Sequence, residues 1–419
     1  MRIELLCTGD EILTGKTINT NYSHMAQRLG EAGLEVYWGT TVGDDRASLL
    51  EAFRQAAARA DAVIVNGGLG PTVDDLSQEV AAEAAGVPLV LHEPWLARME
   101  AFYAGRNRVM PANNRKQAML PEGAEFIDNP IGTACGFAVS IGGARFYFTP
   151  GVPREMRRML DEQVMPRLLA RAGLQGVTRL KRFHSFGIGE SRADEMLTGI
   201  EALAPGGGVK LGFQAHYPQL ETKLAVRGPD HATLDRMLAP LEAEIRRRLG
   251  NFIIAEDAHS LESVVLDALR ARDGSLAVAE TFTGGAIATR LLQVPGAEAL
   301  FRQGLVSRDP GQLAAAAGTA AAEFSPEMAR AVATALRARS GATHALAVLV
   351  SMDAGADAAA AGGTICIGLA DPAGSVLREA RLVGGREWVR LGAAELGLDC
   401  LRRHLLGLPV DERLDFERR

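Results

Sequence analysis

Short apolar runs alternate with segments of helical periodicity through the first 170 residues of this 419-residue chain. Three of the runs, RIELLCT, EVYWGTTVG and DAVIVNGG, are typical of buried strands. Segments such as RASLLEAFRQAAARA follow them, with apolar residues spaced as on one face of a helix. Strands that alternate with helices in this way form a mostly parallel sheet with helices on its faces. This part of the chain is therefore predicted to be an α/β domain with three layers, αβα, in which the sheet lies between two layers of helices.

The end of this first domain shows two further patterns. GFAVSIGGARFYFTPG predicts a hairpin that turns around Gly142 and Gly143. PREMRRMLDEQVMPRLLARAG predicts one helix with Pro153 in its first turn, where the missing N–H costs nothing. We place the end of the domain at residue 172.

Two more domains and a tail are predicted beyond that point. Residues 173–256 combine strand and helix patterns and form a small α+β domain without a ligand signature. Residues 257–409 return to an α/β pattern and close with the helix EWVRLGAAELGLDCLRRHLL. The polar residues 410–419 are expected to form a frayed tail.

Composition excludes several classes of protein. The formal net charge is −6, so no overall basic field attracts nucleic acid, and we expect no direct contact with it. No apolar stretch reaches the roughly 20 residues that span a bilayer, and the acidic start MRIELLCTGDE lacks a signal-peptide pattern. A cytoplasmic protein without a membrane partner is expected. The widely spaced Cys7, Cys135, Cys366 and Cys400 favour neither structural zinc nor a disulfide framework.

A glycine-rich loop, NGGLGPTVDD, follows the third strand pattern. Ligands of open α/β sheets bind beyond the carboxyl ends of the strands. Without Cβ atoms, Gly67, Gly68 and Gly70 would let backbone N–H groups approach phosphate oxygens, and Thr72 could add a hydroxyl. The alternative is a tight strand-to-helix turn that binds nothing.

Pairs of carboxylates follow three successive strand patterns. They are Asp10 with Glu11, Asp44 with Asp45, and Asp74 with Asp75. Helix capping could explain one acid in a loop, Asp45 before Arg46 for example, but not the second acid of each pair. A divalent cation between carboxylates and phosphate would explain the pairs, because Mg²⁺ binds through one or two carboxylates and phosphate oxygens. The predicted metal ligands for Mg²⁺, Mn²⁺ or Co²⁺ are Asp10, Asp44, Asp74 and Asp75.

Basic side chains should neutralise the far side of such a phosphate. The candidates are Arg115 and Lys116 in ANNRKQA and Arg154 in TPGVPREM. Arg154 lies at the start of a predicted helix that follows a strand. Each of these residues could equally be an ordinary surface charge.

Several motifs of the first domain resemble one family. GDEILTGKTINTN, VGDDRASLL, GGLGPTVDDLSQE, NNRKQAMLPEGA, NPIGTACGFAV and TPGVPREM occur in the order and spacing of the competence/damage-inducible protein CinA family. Its first domain is similar to the molybdopterin-binding domains of molybdenum-cofactor biosynthesis proteins. The resemblance implies a metal-dependent pyrophosphatase that converts ADP-ribose to AMP and ribose 5-phosphate. It also suggests a homodimer.

The candidate residues of the first domain fall into two groups besides the metal ligands. The catalytic candidates are Asp10, Glu11, Asp44 and Arg154. The candidates for binding nucleotide or phosphate are Asn19, Asn21, Asn66, Gly67, Gly68, Gly70, Pro71, Thr72, Asp75, Arg115 and Lys116.

The third domain resembles the C-terminal CinA domain, which in many members is a nicotinamide mononucleotide deamidase. The family pattern has a serine nucleophile, but AETFTGG places Thr281 at that position. Arg308 and Leu313 stand where the pattern has a tyrosine and a lysine. No base that could activate Thr281 is evident. We predict a vestigial and inactive site formed by Thr281, Thr283, Gly284 and Gly285.

Three functions remain open at this level. The leading interpretation is a divalent-metal pyrophosphatase that acts on ADP-ribose or a related nucleotide through the first domain. The rival is a protein that binds a nucleotide or a pterin without turnover, or serves as a scaffold, with a link to competence or the DNA damage response. The third is nicotinamide mononucleotide deamidation by the last domain.

Overall fold

The structure, a computed structural model, describes residues 1–173, 176–204, 208–320, 323–353 and 361–417. It has the predicted mixed α/β class, with helices packed against several sheets. No helix in these ranges has both the length and the apolar character needed to cross a membrane.

The chain divides into two compact units. The first comprises Met1–Thr178 with Arg227–His231, and the second comprises Arg179–Val226 with Ala232–Arg419. Because the second unit contains both later segments, the predicted boundary between residues 256 and 257 stays a prediction.

A six-stranded sheet forms the centre of the first unit, in the order β2-β1-β3-β8-β7-β6. Strands β2, β1, β3 and β8 are parallel to one another, whereas β7 is antiparallel to β8 and β6. The carboxyl ends of the four parallel strands therefore meet at one edge. The elements are β1 (Ile3–Thr8), α1 (Asp10–Leu13), α2 (Thr20–Glu31), β2 (Val36–Val42), α3 (Arg46–Arg59), β3 (Ala62–Asn66), α4 (Ser77–Ala85), β4 (Leu89–Leu91), α5 (Glu93–Ala104), β5 (Met119–Pro121), β6 (Glu125–Ile127), β7 (Gly136–Ile141), β8 (Ala144–Thr149), α6 (Pro153–Met159) and α7 (Met165–Arg171).

The central strands are buried on both faces, which explains their largely apolar sequences. Leu5 and Ile64 pack on one side of the sheet with Met25 of α2. Val63 packs on the other side with Phe53 of α3. Successive residues of a strand point to opposite faces, so one apolar run supplies both cores of a three-layer arrangement.

The helix predicted after Pro153 is interrupted. A π-helical turn, Leu160–Val164, separates α6 from α7. Pro166 explains the interruption, because it has no N–H to donate to the carbonyl four residues earlier. A shift to wider hydrogen bonding accommodates this loss without ending the helix.

The rest of the chain builds two sheets, of order β10-β11-β9-β12 and β14-β13-β15-β16-β17. Strand β14 and helices α12 and α13 were not predicted from the sequence; β14 is an edge strand, and its alternate residues are exposed. The elements are β9 (Val177–Phe186), α8 (Glu190–Met196), β10 (Val209–His216), β11 (Gln219–Gly228), α9 (His231–Leu249), β12 (Ile253–Glu256), α10 (Leu261–Arg270), β13 (Leu276–Thr281), α11 (Ala286–Leu292), β14 (Phe301–Ser307), α12 (Pro310–Ala317), α13 (Pro326–Ser340), β15 (His344–Met352), β16 (Gly362–Ala370), β17 (Ser375–Val383) and α14 (Gly385–Leu406).

The prediction of a frayed tail is wrong for residues 410–417. The buried guanidinium of Arg378 donates to the carbonyl oxygen of Val410 at 2.7 Å and to that of Glu412 at 3.0 Å. Leu414 is only 1% exposed. The tail sequence is polar, but its backbone satisfies buried arginines and is thereby held against the second unit. Residues 418–419 lie outside the described ranges.

Candidate functional site

A cleft of about 480 Å³ opens at the carboxyl edge of the parallel strands in the first unit. Each of the four parallel strands contributes a loop to it, as expected for an open α/β sheet. The lining includes Thr8, Gly9 and Glu11 after β1, Asp44 after β2, Gly67, Gly68, Leu69, Gly70, Pro71, Asp74 and Asp75 after β3, and Pro150, Gly151, Val152 and Glu155 after β8.

The glycine turn after β3 requires its glycines for its own geometry. Gly67 and Gly68 have φ values of 111° and 68°, which favour glycine. A Cβ on Gly67 would lie 2.6 Å from Thr8 Oγ1, and one on Gly68 would lie 2.4 Å from Ser77 Oγ. The Ser77 hydroxyl donates to the carbonyl oxygen of Gly67 at 2.9 Å. The turn is thus both the predicted lining of the cleft and a tight connection between β3 and α4.

Asp75 closes the same loop. Its carboxylate accepts a hydrogen bond from the Thr72 N–H at 2.8 Å and another from the Thr72 hydroxyl. Neither Asp74 nor Asp75 caps the next helix, because Leu76 occupies the N-cap of α4 and no side chain caps it. The suggestion for Asp45 is confirmed, since its side chain accepts from Ser48 N at 2.8 Å.

Asp10 and Asp44 form a reciprocal pair. The N–H of Asp10 donates to Asp44 Oδ2 at 3.1 Å, and the N–H of Asp44 donates to Asp10 Oδ1 at 3.2 Å. Burial raises the pKa of Asp44, and the charges of Asp10, Glu11 and Asp74 raise it further. Carboxylates from three loops therefore repel one another at this end of the cleft, and a cation there would relieve the repulsion.

The donor chemistry suits a hard divalent cation, but the predicted set of four ligands is not assembled. No three His, Cys, Asp or Glu side chains in the described ranges are grouped so that they could hold a metal ion. The Asp75 carboxylate is hydrogen-bonded to Thr72, whereas Asp10 and Asp44 are hydrogen-bonded to each other. Two carboxylates suffice for Mg²⁺ when phosphate and water complete its coordination. Metal binding stays a prediction, and the fit is confined to this pair.

The predicted basic residues do not line the cleft. Arg115 and Arg154 are exposed. Lys116 donates to the carbonyl oxygen of Thr72 at 3.1 Å and lies 3.5 Å from Glu79. Lys116 therefore stabilises the glycine loop, and the phosphate contact predicted for all three residues stays a prediction.

The three predicted asparagines connect the loops. Asn19 caps α2 by accepting from Tyr22 N at 2.9 Å. The amide nitrogen of Asn21 donates to Asn66 Oδ1 at 2.9 Å and to the carbonyl oxygen of Gly151 at 2.7 Å. Asn66 in turn donates to the carbonyl oxygen of Pro150 at 2.6 Å. These bonds join the ends of β3 and β8 to α2.

Sequence reasoning missed Glu155. Its carboxylate lines the cleft and accepts from Asn129 Nδ2 at 2.7 Å. The motif TPGVPREM contains both Arg154 and Glu155, and adjacent helical positions point about 100° apart, as 3.6 residues per turn requires. The helix start at Pro153 could have indicated that only one of the two faces the cleft. Gln117, which donates to the carbonyl oxygen of Leu69 at 3.2 Å, was also missed.

The residues of the predicted vestigial site in the second unit form part of a packed turn. Thr281 is 0% exposed, and its hydroxyl oxygen accepts from Val350 N at 2.9 Å. The Glu280 carboxylate accepts from the Thr283 hydroxyl and from the N–H of Ile287 at 3.2 Å. Gly284 and Gly285 have φ values of 69° and 87°, and Leu313 is buried. The two threonine side chains therefore stabilise the turn and are not accessible from the surface.

The first unit is an open α/β domain with a cleft at the carboxyl edge of its sheet, and three family models match successive segments of the chain. Residues 4–170 match the family described as "Probable molybdopterin binding domain". Residues 180–255 match "Damage-inducible protein CinA KH domain", and residues 258–405 match "CinA C-terminal domain".

Relatives that match over nearly their whole length show which family the chain belongs to. A CinA-like protein of Shewanella sediminis is 38% identical over 420 residues, which cover 98% of this chain and 97% of the relative. A CinA-like protein of Frankia casuarinae is 40% identical over 424 residues, which cover 98% of each chain. The chain belongs to the CinA-like family, as its motifs suggested. The crystal structure of CinA from Thermoplasma acidophilum matches 39% of this chain and 96% of its own, at 36% identity and a TM-score of 0.37.

Proposed function

We propose that the first unit hydrolyses the pyrophosphate bond of ADP-ribose or a related nucleotide with the help of a divalent metal, giving AMP and ribose 5-phosphate. The arrangement of the cleft is the observation that supports this proposal. The paired Asp10 and Asp44 lie at the β1 and β2 ends, Glu155 lies beyond β8, and the glycine turn follows β3, which runs between β1 and β8. A diphosphate over the turn would thus have carboxylates on both sides.

Different groups in the cleft would have different roles in this hydrolysis. Asp10 and Asp44 would hold the metal, which when bound supplies positive charge to the phosphate oxygens. Backbone N–H groups of the glycine turn would face the phosphates. Strand β8 is two strand spacings from β1, about 10 Å, so Glu155 is separated from the acidic pair.

Glu155 would act as the general base. The oxygen of a water molecule forms a bond to one phosphorus, the bond from that phosphorus to the bridging oxygen breaks, and Glu155 accepts a proton from the water. The leaving phosphate carries away the electron pair of the broken bond. Asn129 holds the Glu155 carboxylate in place for this step.

An assay of AMP release tests the proposal. Purified full-length protein is incubated with ADP-ribose in Mg²⁺, Mn²⁺ or Co²⁺, and in parallel with EDTA. We expect metal-dependent AMP formation. Full activity in EDTA would overturn the role of the metal, and no AMP with any of the three metals would overturn the hydrolysis of ADP-ribose.

A binding function without turnover is the second candidate, because residues 4–170 match a molybdopterin-binding family. Tight nucleotide or pterin binding without product would favour it.

We expect no direct contact with nucleic acid. KH modules hold single strands through a G-x-x-G loop, and residues 180–255 contain no glycines at that spacing. A homodimer and a cytoplasmic location remain expectations.

A further inference from the structure

A short segment of the first unit, Ala112–Ala118, makes hydrogen bonds to the glycine loop, and the proposed hydrolysis assigns it no role. Three of its side chains each donate to one backbone carbonyl oxygen of that loop: Asn113 to Pro71 at 3.4 Å, Lys116 to Thr72 at 3.1 Å and Gln117 to Leu69 at 3.2 Å. Gln117 differs from the other two because it is only 3% exposed and lines the cleft. Its contact with the loop is therefore shielded from solvent and adjacent to the proposed substrate.

The neighbours of Gln117 fix the orientation of its amide. The carbonyl oxygen of Leu69 can only accept, so Nε2 of Gln117 must face it. On the other side, Asn114 Nδ2 donates to Oε1 of Gln117 at 2.9 Å and to the Tyr103 hydroxyl at 3.0 Å. Gln117 thus connects the glycine loop to side chains that hold it in one place.

The direction of each carbonyl in the loop also fixes the direction of an N–H group. The peptide bonds of the loop are trans, and a planar trans peptide bond points its carbonyl oxygen and its N–H in opposite directions. The bond between Pro71 and Thr72 is an example, since its oxygen accepts from Asn113 and its N–H donates to the Asp75 carboxylate at 2.8 Å. A residue that holds a carbonyl oxygen therefore aims the N–H of the same peptide bond.

Three successive N–H groups of the loop have no acceptor among the described residues. They belong to Gly68, Leu69 and Gly70. The carbonyl oxygens of the same peptide bonds are all held, because Ser77 donates to the first at 2.9 Å and to the second at 3.1 Å, and Gln117 donates to the third. Gly68 and Gly70 have no side chain, so the atoms with which they line the cleft are backbone atoms. Their N–H groups are thus available to a ligand.

The cleft offers few other donors to a negatively charged ligand. Among the described residues that line it, none is Lys, Arg or His, whereas Asp44, Asp75 and Glu155 are acidic. Buried N–H groups without an acceptor are rare in folded proteins, and a series of free backbone N–H groups forms an anion-binding concavity. The unpaired N–H groups are therefore the part of the cleft best suited to a phosphate.

We propose that Gln117 is a positioning residue for the substrate: by holding the carbonyl oxygen of Leu69, it aims the N–H of Gly70 at a phosphate oxygen. Ser77 aims the N–H groups of Gly68 and Leu69 in the same way. This inference rests on the proposed function and deepens it, because it assigns a role to a residue that acts on phosphate through the backbone of another. A change at Gln117 should affect one phosphate contact and leave the other two.

Gln117→Met tests the inference in the full-length protein. Methionine has a similar length but no N–H, so the peptide bond between Leu69 and Gly70 loses the donor that fixes its direction. We measure the binding of inorganic pyrophosphate by calorimetry in Mg²⁺, and the affinity should fall about tenfold, the effect of one hydrogen bond to a charged group. NMR spectra of protein with isotope-labelled glycine supply the second readout. In the wild type the N–H signals of Gly68 and Gly70 should both shift on binding, and in the variant only that of Gly68.

Two variants act as controls. Asn113→Ala removes a bond from the same segment, but the N–H of that peptide bond donates to Asp75, so the affinity should change less than about twofold. Thr40→Val, in β2, removes a hydroxyl that donates to Glu4 at 2.7 Å and accepts from Arg59 at 3.0 Å, and Thr40 does not line the cleft. It should lower the melting temperature but leave the pyrophosphate affinity unchanged.

Four outcomes would overturn the role of Gln117. They are no binding of pyrophosphate by the wild type, wild-type affinity in Gln117→Met, a Gly70 signal that still shifts in that variant, and an equal loss of affinity in either control. If the binding contrast holds and no AMP appears from ADP-ribose, the proposed hydrolysis fails and the role of Gln117 in phosphate binding stands. If AMP appears without the contrast, the reverse applies.

Discussion

The backbone N–H of Asp10 and that of Asp44 each donate to the carboxylate of the other residue, at 3.1 and 3.2 Å. The two bonds hold two like charges close together even though burial and neighbouring acids raise the pKa of Asp44. A cation held by the two carboxylates would relieve this repulsion, as the proposed metal role requires. The same repulsion should reduce the stability of the free protein.

Asp44→Asn should therefore separate stability from activity. Asparagine can still accept from Asp10 N, but it carries no charge, so a metal ligand and a repulsion disappear together. We expect metal-dependent hydrolysis to fall roughly 100-fold or more, as the loss of a ligand implies, and the melting temperature at pH 7 to rise. AMP release and calorimetry provide the two measurements. Wild-type turnover by the variant would contradict the metal role of Asp44.

The gain in stability should depend on pH. Because the pKa of Asp44 is raised in the folded state, ionisation of this group destabilises the fold. The wild type is free of that penalty below the ordinary Asp pKa, about 3.9, and acquires it as the pH rises through the folded-state value. The melting temperatures of variant and wild type should converge near pH 3 and diverge toward pH 7. A difference independent of pH would exclude this cause.

The glycine turn provides a pair of matched substitutions. Gly68→Ala should destabilise the protein by about 3 kcal/mol or more, because it adds an overlap with Ser77 Oγ to the left-handed strain. Gly86→Ala has a similar φ of 71°, and its Cβ would meet nothing within 4 Å, so about 1–2 kcal/mol is expected. Denaturant unfolding measures both values. Equal losses would show that the space around Gly68 is not restrictive.

Substitutions at the adjacent residues Glu155 and Arg154 are predicted to have opposite effects on AMP release: a large loss at Glu155 and almost none at Arg154. Glu155→Gln keeps an oxygen for Asn129 but removes the base, so AMP release should fall about 10²–10⁴-fold. Arg154→Gln changes an exposed residue that does not line the cleft, and it should alter turnover less than about threefold, the range of a screened surface charge. Rates measured at saturating metal decide between them. A larger effect at Arg154 would favour the phosphate contact predicted for it from the sequence.

The second unit should not release ammonia from nicotinamide mononucleotide. Thr281 is buried and its oxygen accepts from Val350, so neither access nor a base is provided. Full-length protein is assayed for ammonia, with ADP-ribose hydrolysis in the same preparation as the control for active protein. Turnover near 1 per second, an ordinary enzymatic rate, would contradict this prediction.

Sequence patterns predicted the features that depend on neighbouring residues in the chain, such as buried strands and glycine turns. The run from Ile3 to Thr8 is largely apolar because β1 is buried on both faces, and the glycines after β3 were recognisable from their spacing. Hydrogen-bond partners were not recognisable in the same way. Asp75 turns back to Thr72, and Lys116 reaches the same loop from 44 positions away. A sequence shows which groups are available, whereas packing decides which of them remain free.

The packed tail has a consequence for how the second unit assembles. Asp415 accepts from Gly189 N at 3.0 Å, although the two residues are 226 positions apart. Closing a loop of that length costs about 5 kcal/mol of chain entropy beyond a constant, so these contacts should form late in folding. Leu414 also covers Gly187, where a Cβ would lie only 2.3 Å from it. A polypeptide of residues 177–256 alone would lack this cover, and it should be less stable than the same strands and helices in the whole chain.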